Sequence, residues 1–342
     1  MTKTPNPTPD PMSWQPSRRD LVRTAAGAAA AMTLARPAIA QAAFPSRQIE
    51  VLVPWSAGGG AAQIAEMARQ IITDNKLSPQ PLTLTHKPGA SGLIGTALVA
   101  DRKGNPYTFM PGGGALLAQV VVGESPVHPL KDLSPLALSA VDSSVIIAAA
   151  NSPYKTFADV IDKLKKTPKS VTLAGAGGGA ASWDGMLEIV SGAVAGVQFN
   201  QIPFSGGGEV QAAVLGGQVD VGTRQLSNAQ QFITQGQMKA LAIFDAERNP
   251  KLPDVPTMRE LGYDVVLNLS RGWFAPPGLK PEDVAWYGDM FGKLAATPAW
   301  KDYLDKSGIQ PRYLGPTEWA KFIDDAMNVI RTLYKRVGVI KS

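Results

Sequence analysis

Four glycine triplets are the residues of this sequence best placed to do chemistry. Each follows a short β-rich run and precedes an apolar period of helical type. Ile49 to Pro54 leads to Gly58-Gly59-Gly60 and a helix carrying Ile64, Met67, Ala68, Ile71 and Ile72. Tyr107 to Met110 leads to Gly112-Gly113-Gly114 and then Ala115 to Val122. Ser170 to Leu173 leads to Gly177-Gly178-Gly179 and then Met186 to Val190. Val197 to Phe204 leads to Gly206-Gly207-Gly208 and then Val210 to Leu215. The chemistry of such a turn is anion binding. Glycine lets the backbone approach a ligand, and the first N–H groups of the following helix are unpaired donors with the helix dipole behind them. A single triplet is more often a plain tight turn, but four in one context point to a carboxylate or phosphate held between facing elements.

Other chemistries find no matching constellation. There is no Gly-Lys-Ser/Thr for a P-loop. Gly175 to Ala180 fits G-x-G-x-x-A, yet Ala195 to Gly208 holds no acid for a ribose. No G-x-S-x-G elbow exists, and His86 and His128 have no nucleophile nearby in sequence. Zero cysteines exclude disulfides and thiolate metal sites, and two distant histidines do not make a metal site. No cofactor, metal or catalytic residue is expected.

The elements that must position these turns are those of two α/β lobes. Each lobe offers two strand-to-helix turns at the carboxyl edge of its sheet, where open α/β folds bind ligands. The triplet spacing is too irregular for a solenoid. Thr156 with Asp159 marks a helix start, with Phe157, Val160, Ile161 and Leu164 as its buried stripe. Lys163, Lys165, Lys166 and Lys169 read as its solvated end. Thr317 to Val337 forms a helix with Trp319, Phe322, Ile323, Ala326, Ile330 and Leu333 on one core-facing side. Pro250 to Pro256 and Pro276-Pro277-Gly278 are loops, while Val145 to Ala150 and Val265 to Phe274 are candidate crossings between lobes.

The 342 residues carry 33 basic and 28 acidic side chains, a net +5. Residues 1–42 hold five of the cations (Lys3, Arg18, Arg19, Arg23, Arg36) and two of the anions (Asp10, Asp20), leaving only +2 beyond them. A basic field for nucleic acid is therefore not expected. Residues 1–16 read as a disordered extension. Ser17-Arg18-Arg19-Asp20-Leu21-Val22-Arg23 opens a signal peptide of the twin-arginine type. A short alanine-rich stretch follows, with cleavage expected near Ala40 or Ala42. The stretch is too short for a membrane anchor, so the expected location is the periplasm.

The chain resembles the solute-binding receptors of bacterial tripartite tricarboxylate transporters, also called Bug receptors. Matching strings run through nearly the whole mature chain. They include Phe44-Pro45-Ser46-Arg47, Val51 to Trp55 with the first triplet, Lys87-Pro88-Gly89-Ala90-Ser91-Gly92 and Ile202 to Glu209. Leu215-Gly216-Gly217-Gln218-Val219-Asp220, Leu252-Pro253-Asp254-Val255-Pro256-Thr257 and Gly272 with Phe274 to Gly278 complete the set. The resemblance implies a type II-like, two-lobed periplasmic binding protein, each lobe a mixed sheet flanked by helices, with the ligand cleft between. Lobe one would be residues 43–142 plus 265–342 and lobe two 143–264. It implies a monomer that closes on a small carboxylate and docks on a permease of one large and one small subunit.

In the family, backbone N–H groups of the first Gly loop and of the loop matched by Ala174 to Ser182 grip the carboxylate. The expected ligand-binding residues are Trp55, Ser56, Gly58, Gly59, Gly60, Ala61, Gly113, Gly114, Gly177, Gly178, Gly179, Ala180, Ser182, Trp183, Phe204, Ser205, Gly206 and Arg224. Three departures bear on the ligand. Ala61-Ala62 stand where many members have Thr-Asp, which argues against an amino-acid ligand. Trp183 stands where many have histidine. Arg224 replaces an Asp, and its guanidinium can pair bidentately with a carboxylate or serve as a salt bridge. Trp55, Trp183 and Phe204 can stack a flat ring or pack within the turns. Together these favour a di- or tricarboxylate or an aromatic carboxylate. Two alternatives are a periplasmic α/β hydrolase-like enzyme on an anionic ester or phosphate, and a receptor feeding a sensor protein.

Overall fold

A computed structural model describes residues 44–177 and 179–341; the signal-peptide reading lies outside them. Strand β1 (Ile49–Val53) leads into helix α1 (Gly60–Asp74), followed by β2 (Leu82–His86), α2 (Leu93–Ala100), β3 (Thr108–Gly113) and α3 (Gly114–Val121). The long β4 (Ser134–Ala149) precedes α4 (Phe157–Lys166), β5 (Thr172–Ala176), α5 (Trp183–Ala195), β6 (Asn200–Phe204) and α6 (Gly207–Leu215). Then come β7 (Val221–Gln225), α7 (Leu226–Thr234), β8 (Met238–Ile243) and β9 (Asn268–Ala275). Helices α8 (Pro281–Ala296) and α9 (Pro298–Lys306), β10 (Gln310–Leu314) and α10 (Pro316–Arg336) finish the chain.

The ten strands form a curled mixed sheet in the order β2-β1-β3-β9-β4-β7-β5-β6, with β8 and β10 pairing β4 off this path. Strands β1, β2 and β3 run parallel to one another, as do β5, β6 and β7. The two parallel sets are joined through β4 and β9. Residues Ser134 to Ser143 of β4 pair with β9, whereas Ser144 to Ile147 pair with β7. One sixteen-residue strand thus serves both halves, and its change of partner falls between Ser143 and Ser144.

Local rules account for the helices. Thr156 caps α4 in a capping box: its side chain accepts from Asp159 N at 3.2 Å, and Asp159 Oδ2 accepts from Thr156 N at 2.8 Å. Phe157, Val160, Ile161 and Leu164 are all buried. Helix α10 buries Trp319, Ile323, Ile330 and Leu333, as its period requires, and Phe322 packs at the edge of the same core.

The second triplet differs from the turn expected of it. Gly112 and Gly113 continue β3 and pair with Gly272 and Arg271 of β9, so only Gly114 begins a helix. The reason is close approach. A Cβ on Gly113 would lie 2.0 Å from the Ser270 carbonyl oxygen, and one on Gly112 would lie 2.9 Å from the Phe274 ring.

Candidate functional site

The carboxyl ends of β1, β3, β5, β6 and β7 converge on a cleft of about 910 Å³. Of the residues expected from sequence, Trp55, Ser56, Gly58, Gly59, Gly60, Ala61, Gly113, Gly114, Gly177, Ser182, Trp183, Ser205, Gly206 and Arg224 line it. Gly178 lies outside the described residues. Gly179, Ala180 and Phe204 are not on the lining. Ala180 is turned away because its carbonyl accepts from the Tyr334 hydroxyl of α10. Gly179 is tucked against the start of α5, where its carbonyl accepts from Ser182 N and Oγ. Phe204 is half-buried and packs against the core cluster that includes Val210 and Val214.

The N-termini of α1, α3 and α6 open onto the cleft without a side-chain cap, whereas at the start of α7, also on the lining, Asp142 Oδ1 accepts from Ser227 N. Helices α4, α5 and α9 are instead capped by Thr156, Ser182 and Thr297. The leading N–H groups at Gly60 and Gly207 are therefore available to a ligand, with the dipole favouring an anion. The third triplet works differently. Helix α5 starts only at Trp183, beyond the triplet rather than within it, and Ser182 Oγ already accepts from Gly185 N at 2.9 Å.

Arg224 sits on β7 at 6 % exposure and packs against the start of α6. A Cβ on Gly207 would lie 1.7 Å from its Nη1. Among the described residues the Arg224 guanidinium donates no hydrogen bond, and its Nε is buried without a partner. Its one ion-pair partner, Asp184, is 3.8 Å away and already accepts from Gln225 Nε2 at 2.8 Å and from Ala176 N at 3.2 Å. A buried guanidinium with spare donors beside an uncapped helix start can pair with an anion such as a carboxylate. A methyl group at Gly207 would occupy the guanidinium's place while leaving the backbone free. Gly207→Ala is therefore expected to weaken carboxylate affinity by roughly tenfold or more and, because the displaced guanidinium is buried, to cost about 1–3 kcal/mol of stability, read by calorimetry and urea melts. Unchanged affinity would show that the guanidinium's position does not matter.

Trp183 is nearly buried; its Nε1 donates to Ser144 Oγ at 3.0 Å, and its ring fills the space left by Gly114. It is a packing wedge between α5 and α3 with one edge on the cleft. Trp55 is half-buried against Gly92, and His86 Nδ1 donates to its carbonyl at 2.9 Å.

Sequence reasoning missed several lining groups, above all Arg271, Asp184, Gln225 and Asn228. The one local signal for Arg271 was a charged residue inside the apolar run Val265 to Phe274. Asp184, on the cleft lining, and Glu188, off it, lie one turn apart on α5, both buried. Burial, and then the charge of Asp184, push the Glu188 carboxyl up to about 8. Burial likewise pushes Asp184 up, opposed by Arg224 and the hydrogen bond from Gln225. The unfolded Glu188 carboxyl loses its proton near 4.5. Between these values the native state holds a proton that the unfolded chain does not, so stability falls as pH rises from about 4.5 to 8. Glu188→Gln is expected to flatten that slope and to add roughly 1–3 kcal/mol at pH 8, measured by urea denaturation at pH 5 and 8. An unchanged slope would show that Glu188 is already ionised.

Among the described residues no group of His, Asp and Glu is arranged to hold a metal, and neither histidine lines the cleft. A curled mixed sheet joined through long shared strands, with helix N-termini facing a central cleft, defines a two-lobed solute-binding protein of the periplasmic type. Residues 64–339 match the model of the tripartite tricarboxylate transporter family receptor, and the chain belongs to that family. It is similar to the "UPF0065 protein in gbd 5'region" of Cupriavidus necator, at 29% identity over 95% of this chain and 99% of the relative. It is also similar to "Protein BugT" of Bordetella pertussis, at 26% identity over 82% of this chain and 86% of the relative. Among solved structures, the periplasmic binding protein BugD superposes with a TM-score of 0.77 at 25% identity, covering 87% of this chain and 100% of that one. Family members are substrate-binding receptors, not enzymes, which sets the hydrolase alternative aside. Among the described residues no helix is long and apolar enough to cross a membrane.

Proposed function

We propose that this receptor captures a small carboxylated solute in the cleft and delivers it to a permease of one large and one small subunit. The observation that carries the reading is Arg224, nine-tenths buried at the cleft with every guanidinium donor unused among the described residues. The uncapped starts of α1 and α6 supply further donors, and family membership supports transport as the purpose. The lobes are residues 43–142 plus 265–342 and residues 143–264, a division supported by the change of β4 partner at Ser143 and Ser144. Closure of one on the other would bury the charge, so each carboxylate oxygen needs a donor. Calorimetry of the mature chain with aliphatic di- and tricarboxylates and aromatic carboxylates tests the reading. Binding of at least one acid is expected; binding of neutral solutes alone would overturn it.

Export by the twin-arginine route into the periplasm is part of the same proposal. Replacing Arg18 and Arg19 together by Lys should strand the uncleaved precursor in the cytoplasm, and undiminished export would rule that route out.

A further inference from the structure

Capture of a carboxylate changes the charge balance behind the cleft, where Asp184 and Glu188 sit. Among the described residues Arg224 is the ion-pair partner of Asp184, at 3.8 Å. The same guanidinium lines the cleft. Asp184 and a bound anion therefore share one positive charge. Glu188, one turn further along α5, is 2 % exposed, and its Oε1 is buried without a hydrogen-bond partner. It leans on β5: a Cβ on Gly175 would lie 1.9 Å from Oε1, with Thr223 Oγ1 3.1 Å from the same point. The charge that bears on Glu188 is that of Asp184.

The surroundings hold little else to offset a second anion. Helix α5 packs chiefly on β5, β7 and α3. Strand β5 and helix α3 carry no ionisable side chain, and β7 carries only Arg224. Arg271 of β9 bears on Asp184 more weakly than Arg224 does. Its guanidinium reaches over the start of α1, where a Cβ on Gly60 would lie 3.1 Å from Nη2, and it donates to Asp142 Oδ2 at 2.5 Å. Asp142 thus engages Arg271 and also bears on Arg224. Asp184 is left dependent on Arg224.

A solute carboxylate at Arg224 adds a negative charge to a buried set that already holds two carboxyl groups. In a low-dielectric site that charge is poorly screened, and a proton is the available counter-charge. We propose that capture of the anion is coupled to uptake of a proton by the Asp184–Glu188 pair. This rests on the carboxylate-receptor reading and adds the proton to it as a second ligand. The two carboxyls titrate as a pair. In the ligand-free protein burial and Asp184 hold the Glu188 proton up to about 8, and a further anion nearby raises that value. Above about pH 8 the bound state then holds more protons than the free one, so affinity falls as pH rises through that range. The solute's own carboxylates stay ionised there.

The experiment is calorimetry on the mature protein with the aliphatic and aromatic acid panel, succinate, citrate and benzoate among the probes. Each is titrated at pH 8.5 in Tris and in triethanolamine. These buffers differ in ionisation enthalpy, so the difference in heat counts the protons exchanged. Both are cationic, so neither competes as an anion. Acids that bind are expected to carry about half a proton or more into the complex, with affinity falling about threefold or more from pH 8 to 9. In Glu188→Gln, whose amide stands in for the protonated carboxyl, the uptake at pH 8.5 should fall to about half of wild type or less. Binding without proton uptake, or with proton release, would overturn the coupling and leave the carboxylate reading standing. Uptake undiminished in Glu188→Gln would do the same. If no acid of the panel binds, both fall. The buffer comparison uses wild-type protein and holds even if the variant fails to fold.

Discussion

Arg224→Met is expected to weaken carboxylate binding by roughly two to three orders of magnitude, while the ligand-free protein melts at or above the wild-type temperature. The two halves of this result have one cause. Arg224 is buried, yet 3.8 Å from Asp184 and without a hydrogen bond among the described residues. Burial disfavours its charged form, and Asp184 and Asp142 only partly oppose that. The desolvation of this cation is thus poorly repaid in the empty receptor, and an apolar side chain of similar length removes the cost. Asp184 keeps its bonds from Gln225 and Ala176 and, pushed up by burial, can take a proton once the guanidinium is gone. Calorimetry and thermal melts on the same sample check both halves. A stability loss above about 2 kcal/mol with affinity intact would make Arg224 a structural ion pair instead.

The largest stability effect is expected at Gly113. An alanine Cβ there would sit 2.0 Å from the Ser270 carbonyl oxygen and 2.8 Å from its carbon. Its φ of +156° is also one that L side chains rarely adopt. The obstacle is backbone within a sheet pair, so no rotamer change relieves it, and β3 and β9 must separate. Gly113→Ala is expected to cost roughly 3–5 kcal/mol in urea denaturation and to impair binding through Arg271, which pairs with Gly113 in register. Gly208→Ala serves as the control: it meets nothing within 4 Å, has no positive φ and should be nearly neutral. A Gly113→Ala variant as stable as that control would mean the two strands are not so closely apposed.

What was legible in the sequence was local. The first and fourth strand–glycine–helix units could be read because period and glycine placement are short-range signals. The Thr156–Asp159 cap and the buried face of α10 were readable for the same reason. Long-range choices were not. Nothing near Ser143 announces that β4 changes partners there, because strand pairing is decided by β7 and β9, dozens to over a hundred residues further along the chain. Gly112 and Gly113 read as a turn because close approach to β9 and a tight turn call for the same residue. Arg224 was found, at the price of treating Trp183 as a possible stacking surface when Ser144 and Gly114 make it a wedge. Asp184 and Glu188 pass for ordinary helix-surface acids at i,i+4 spacing, and only the sheet beneath α5 shows them buried. Arg271 was one charge in an apolar run, and its meaning depends on Gly60, over two hundred positions earlier.

The most direct test of the central claim is ligand-induced thermal shift on the mature protein, with carboxylates set beside their neutral amides. At about a thousand times its dissociation constant, a solute bound only by the native state adds roughly 4 kcal/mol. In a domain of this size that raises the melting temperature by roughly 5 °C or more. At least one acid should do so and its amide should not. Equal shifts from acid and amide, or shifts from amides alone, would contradict a cleft built around Arg224 for a carboxylate.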